Sequence, residues 1–158
     1  MTAEQLREII TAMMGLETAL AEFYKTCRDT WPLDKNFWNK ISFQETGHAE
    51  MLDNIRQILS LNPGLFSANR EVSVKSIEFT TNEVKDATVR IKSGKISEER
   101  VFFMARGLEQ CVLDSKPYEF IGTMEGTSTH ILAEIARQTE EHRDAINKKI
   151  EEKHLVES

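Results

Sequence analysis

The residues with the clearest chemical potential are Glu45 and His48, within the run Glu45-Thr46-Gly47-His48. Three residues apart on a helix, a carboxylate and an imidazole share one face, about one turn apart. Trp38, Ile41, Leu52, Ile55 and Leu59 fall on the same stripe. The pair is therefore expected to point into apolar surroundings, where a charge without a partner is costly. A metal cation is one such partner, and a carboxylate beside an imidazole suits iron, manganese or zinc.

The same pattern recurs along the chain. Glu17 lies in the centre of a face made by Leu6, Ile10, Met13, Leu20, Tyr24 and Cys27. Glu109 sits among Val101, Phe102, Ala105, Val112 and Leu113. His142 shares a stripe with Ile131, Ile135, Gln138, Thr139, Ile146 and Ile150. Taken singly, a Glu or His in such a place is more often part of a buried hydrogen-bond network. Recurrence near the middle of four apolar stripes points instead to one shared metal site. Two cations would neutralise carboxylates that otherwise repel one another and protonate.

The remaining candidates read as ordinary. Glu22 falls beside Thr18 and Thr26, and Glu50 beside Asn54 and Gln57, on faces expected to be solvated. His130, near the start of the last helix, and His154, in the tail, are surface positions. Met13, Met14 and Met104 fill core gaps. Cys111 lies on a different face from Glu109 and is given no redox role. Tyr24 is either a hydroxyl donor near the site or a core aromatic with its hydroxyl satisfied.

Such ligands need long helices to hold them. The chain has 158 residues, enough for one domain with a sizeable core. It contains only 3 prolines and 7 glycines, which favours helix. Helices are expected over about 3–30, 34–61, 81–93, 97–122 and 128–153. Thr2 and Asp34 are the expected N-caps of the first two, and Asn62-Pro63-Gly64 stops the second. Ser73 to Phe79 alternates, but an isolated strand among helices is improbable, so this stretch reads as an extended crossover. Thr80-Thr81-Asn82-Glu83 resembles a capping box opening a short helix with Val84, Ala87, Thr88 and Ile91 on one side. Ser97-Glu98-Glu99 caps the next helix, Pro117 kinks or ends it, and Gly122 to Gly126 forms the following turn. The expected architecture is an all-α, up-down-down-up four-helix bundle, with a long crossover carrying the short extra helix.

Composition excludes several functions. A net charge of −6 gives no electrostatic case for nucleic acid. No apolar run approaches the roughly 20 residues needed to span a bilayer. Met1 to Ile10 carries acids and lacks the apolar core of a secretory signal. Cys27 and Cys111 form no Cys-x-x-Cys pair, so no rubredoxin or zinc-ribbon module is encoded. Two isolated cysteines fit a reducing cytoplasm.

With these residues in view, nearly the whole chain resembles a ferritin-like, rubrerythrin-type di-iron domain. That family takes one Glu from each of two helices and Glu-x-x-His from each of the other two. Glu17 with Tyr24 seven residues later resembles the first-helix motif, and Glu45-Thr46-Gly47-His48-Ala49 the second. Ala105-Arg106-Gly107-Leu108-Glu109 resembles the third, and Gln138-Thr139-Glu140-Glu141-His142 the fourth. The fourth departs from the pattern, because Thr139 stands where the family has Glu. Val112 also stands where some rubrerythrins carry an acid. Glu140 and Glu141 lie about 160° and about 100° around the helix from His142, so neither replaces Thr139. Gln138 could offer a neutral amide oxygen instead.

The resemblance implies a metal set of Glu17, Glu45, His48, Glu109 and His142. It implies two irons in a complete site, with zinc or manganese as alternatives, and an oxidoreductase of the peroxidase or ferroxidase type. The sequence does not choose between peroxide reduction and oxidation of ferrous iron by oxygen. Electrons would come from an external donor protein, and bundles of this family often pair as homodimers. Two other readings stay open at this point. One is a non-catalytic iron- or metal-binding bundle, motivated by Thr139; the other is an apo scaffold whose former ligands form a polar network.

Overall fold

A computed structural model describes residues 2–68, 72–115, 121–123 and 127–157 of the chain. Five α-helices dominate it: α1 (Ala3–Thr30), α2 (Lys35–Leu61), α3 (Val74–Lys92), α4 (Glu98–Ser115) and α5 (Thr127–Glu152). Short 3-10 turns at Pro32–Asp34 and Pro63–Leu65 lie on either side of α2. The expected all-α class is observed. Among the described residues, no helix is long and apolar enough to cross a membrane.

The helix ends follow local chemistry. The Thr2 hydroxyl accepts from the Gln5 backbone amide, and the Gln5 side-chain oxygen accepts from the Thr2 backbone N–H, so α1 opens on a reciprocal cap. Helix α2 stops at Leu61, one residue before Asn62-Pro63. Asp34 occupies the N-cap position of α2, but its side chain does not cap. Its carboxylate turns to Lys149 of α5 (3.2 Å) and to Lys153 just past the end of α5 (2.9 Å). Burial opposes charge on Asp34, yet the two ammonium groups hold its carboxyl below the usual range. The same lysines lie over Phe37 and Phe102, tying α5 to α2 and α4.

Three expected boundaries are corrected. Helix α3 starts at Val74, not near residue 81, because Ser73 caps it by accepting from the Ser76 amide. Thr80 and Thr81 therefore sit inside the helix and bond back to the carbonyls of Ser76 and Ile77. The buried positions Ile77, Thr81, Val84, Thr88 and Ile91 continue one helical stripe across the stretch expected to be extended. Helix α4 begins where Ser97 accepts from the Arg100 amide and is described over Glu98–Ser115; it does not run to 122, because residues 121–123 are extended. The kink expected at Pro117 lies outside the described residues. Gly122, expected in a turn, belongs to a strand. Phe66–Ala68 (β1) pairs antiparallel with Ile121–Thr123 (β2), with Ser67 opposite Gly122. This small ribbon ties the segment after α2 to the one after α4.

Helix α1 packs against both α2 and α3, α4 packs against α5, and α2 also meets α5. Double packing explains why α1 buries Ile9, Leu16, Ala19 and Phe23 beyond the single expected stripe. Leu132 is a core residue absent from the expected α5 stripe, whereas Ile131 is half-buried. Trp38 forms the hub of an aromatic cluster, stacked on Tyr24 at 5.8 Å and packed on Phe102 at 4.8 Å between ring centres.

Candidate metal centre

All five expected ligands converge. Glu17 comes from α1, Glu45 and His48 from α2, Glu109 from α4 and His142 from α5. None is more than 3 % exposed, although every one is polar or ionisable. They fall into two overlapping groups, Glu17–Glu45–His48 and Glu45–Glu109–His142. Within each group the potential donor atoms all lie within 4.8 Å of one another, so each can hold a metal ion. Glu45 belongs to both.

The geometry around Glu45 is nearly two-sided. Its Oε2 lies 3.0 Å from Nδ1 of His48, which is also 3.4 Å from Oε2 of Glu17. Its Oε1 lies 2.8 Å from Nδ1 of His142, which is also 3.7 Å from Oε1 of Glu109. The two rings are roughly parallel, with centres 5.8 Å apart. Both imidazoles thus aim the same nitrogen inward. Each outer nitrogen is held by a glutamine. Nε2 of His48 lies 2.7 Å from Oε1 of Gln138, and Nε2 of His142 lies 2.8 Å from Oε1 of Gln44. Gln138 gives its own amide N–H to Glu134, which fixes its oxygen toward His48. With Nε2 as the donor, Nδ1 is the atom left for a cation.

Several buried atoms here make no hydrogen bond. They include Glu45 Oε1, Glu109 Oε2 and His142 Nδ1. Buried polar atoms are normally satisfied; Glu45 Oε1 lies 2.8 Å from His142 Nδ1 and Glu109 belongs to the same group, a donor arrangement that a cation would complete. Glu109 keeps one strong contact, since Tyr24 donates its hydroxyl to Oε1 across 2.5 Å. Tyr24 is therefore a donor to the site, and its partner is Glu109 rather than the Glu17 of its own helix.

The charges are strongly coupled. Burial and the neighbouring Glu45 push the Glu17 carboxyl well above its usual range, and the same two causes raise Glu109 to about 7. Burial opposes charge on Glu45 as well, but its close contacts with Glu17, His142 and His48 hold it low. Burial disfavours charged imidazoles, yet Glu17 and Glu45 raise His48 to about 11, and Glu109 and Glu45 raise His142 to about 9. Burial and Glu109 raise the Tyr24 phenol, which stays protonated as a donor. These shifts favour charge on Glu45 and on both imidazoles and disfavour it on Glu17 and Glu109.

Thr139 is buried, at 2 % exposure, and its hydroxyl is committed to the Ile135 carbonyl. It supplies no donor inward. Gln138 does not substitute for it either, because its amide serves His48 from the outer side. Glu140, Glu141, Glu22, Glu50 and His130 are all exposed, as the sequence indicates. Gln44 is the contributor that sequence reasoning missed. The signal was present: glutamine stands four residues before histidine in both Gln44–His48 and Gln138–His142.

Comparison with protein-family models, with curated proteins and with solved structures found no match to this chain.

Proposed function

We propose that the chain is a rubrerythrin-like, non-haem iron protein in which Glu17, Glu45, His48, Glu109 and His142 would hold two divalent ions. The observation that carries this reading is the double role of Glu45, which faces one inward Nδ1 with each of its two oxygens. Glu17 and Glu109 each add a carboxylate to one side. Three carboxylates offset three of the four charges on two divalent ions, and the remaining charge favours a further anionic ligand. Bound iron would supply one-electron redox chemistry toward peroxide or oxygen. The protein's own part is to orient ligands and exclude water. Tyr24 fixes Glu109 from behind, the two glutamines fix the rings, and the apolar core around Trp38 and Leu52 keeps solvent away. An external donor would provide electrons, since the chain encodes no rubredoxin-type cysteine pair.

Peroxide added to the ferrous-loaded protein tests the oxidoreductase reading. The expected result is growth of ferric absorption with turnover of peroxide. An unchanged spectrum in iron-loaded protein contradicts it.

Thr139 favours a second reading, a non-catalytic metal holder. Its hydroxyl faces the helix backbone, leaving one side of the site a carboxylate short of the family pattern. Metal content after purification without added metal separates the two. About two irons per chain supports the redox protein; one ion, or a mixture with zinc, supports the holder.

A further inference from the structure

Gln44 and Gln138 sit outside the ligand set, yet they are placed by a reciprocal rule. Each stands four residues before a histidine on its own helix, and each contacts the histidine of the other helix. His48 on α2 reaches Gln138 on α5, and His142 on α5 reaches Gln44 on α2. Both contacts are made by Nε2, which leaves both Nδ1 atoms facing carboxylates. The Gln138 side is anchored further by its bond to Glu134, itself held by Arg137. We propose that Gln44 and Gln138 are positioning residues that lock the imidazoles crosswise between α2 and α5. Each accepts the Nε2–H of the opposite histidine, so that both Nδ1 atoms are presented to the carboxylates as metal donors.

The proposal rests on the metal-site reading above and adds the residues that set the orientation of its nitrogen ligands. Without such an acceptor an imidazole can turn over or change tautomer, and Nδ1 is then no longer fixed toward the cation. Losing an outer partner of a metal-bound histidine typically weakens metal affinity about 10–100-fold. The crosswise arrangement also makes a prediction that local helix damage does not. A change at Gln44 disturbs His142, 98 residues away, and spares His48 on the same helix.

The test uses the full chain, with zinc as the probe, and compares wild type with Gln44→Met, Gln138→Met and Gln44→Glu. Methionine keeps the length and helix preference but removes the acceptor; glutamate restores an acceptor. Long-range proton–nitrogen correlation spectra read the imidazole N–H groups, and calorimetry reads zinc affinity. Gln44→Met is expected to speed exchange of the His142 Nε2 proton alone, and Gln138→Met that of His48 alone. Each methionine variant is expected to bind zinc about 10–100-fold more weakly, and Gln44→Glu to stay within a few-fold of wild type. The proposal is overturned if the spectral change stays on the substituted helix, or if Gln44→Glu behaves like Gln44→Met. It is also overturned if the methionine variants bind zinc as wild type does. Should wild type itself take no zinc, the metal reading fails. The crosswise pattern in the metal-free spectra then still decides the positioning claim, by its presence or absence.

Discussion

Glu45 Oε1 and His142 Nδ1 lie 2.8 Å apart in a fully buried site, and neither atom makes a hydrogen bond. The other oxygen of Glu45 lies 3.0 Å from the second imidazole. One carboxylate on α2 thus belongs to both groups of possible metal donors, while Glu17 and Glu109 belong to one group each.

Isosteric removal of each carboxylate should therefore give unequal losses. Glu17→Gln is expected to weaken the position shared with His48, and Glu109→Gln the one shared with His142. Glu45→Gln is expected to abolish both. Zinc stoichiometry by calorimetry checks this; equal effects from the three variants would contradict a shared role for Glu45.

Thr139→Glu should restore a carboxylate at the place where α5 mirrors Glu45 of α2. Metal affinity is expected to rise about tenfold or more, since a further anionic ligand joins the site. Without metal, the extra buried carboxylate is expected to destabilise the fold by several kcal/mol. Paired zinc titrations and urea unfolding measure both effects. Destabilisation with no gain in affinity would mean that position 139 does not face the cations.

The pH dependence has opposite signs with and without metal. Glu109 rises from 4.5 to about 7, His142 from 6.5 to about 9 and His48 from 6.5 to about 11. For each, the folded chain binds more protons than the unfolded one between the two values. The stabilisation present below the unfolded value is lost as pH rises through the folded value, at about 1.4 kcal/mol per pH unit for each excess proton. Metal-free protein should thus unfold at lower urea near pH 9 than near pH 6. Zinc must displace these protons, so its apparent affinity should rise with pH, with proton release visible in buffers of different ionisation enthalpy.

Tyr24→Phe removes the 2.5 Å bond to Glu109. A buried hydrogen bond to a charged group contributes about 1.5–3 kcal/mol, so the urea midpoint should fall accordingly. Zinc should weaken at the His142 side and not at the His48 side. An unchanged midpoint would show that Tyr24 merely fills space.

The convergence of the five buried polar side chains was legible because each interrupts an otherwise apolar helical stripe. Glu17, Glu45, His48, Glu109 and His142 are conspicuous among Leu, Ile, Phe and Trp, and burial in the structure follows that pattern. The start of α3 was less visible. Two capping signals compete there, Ser73 and Thr80-Thr81-Asn82-Glu83, and the earlier one prevails because Ile77 and Thr81 extend the buried stripe. Pairing of β1 with β2 joins segments far apart in sequence, which no local pattern encodes. The glutamine roles were hidden for a related reason: each acts on the opposite helix, so its meaning appears only once α2 and α5 meet.

The most direct test of the central claim is an anomalous-scattering map of crystals grown from protein loaded with iron or zinc. The account predicts two peaks flanking the Glu45 carboxylate, one bonded to Nδ1 of His48 and the other to Nδ1 of His142. Fully loaded crystals with no peak between the helices, or with metal only on the surface, would contradict it.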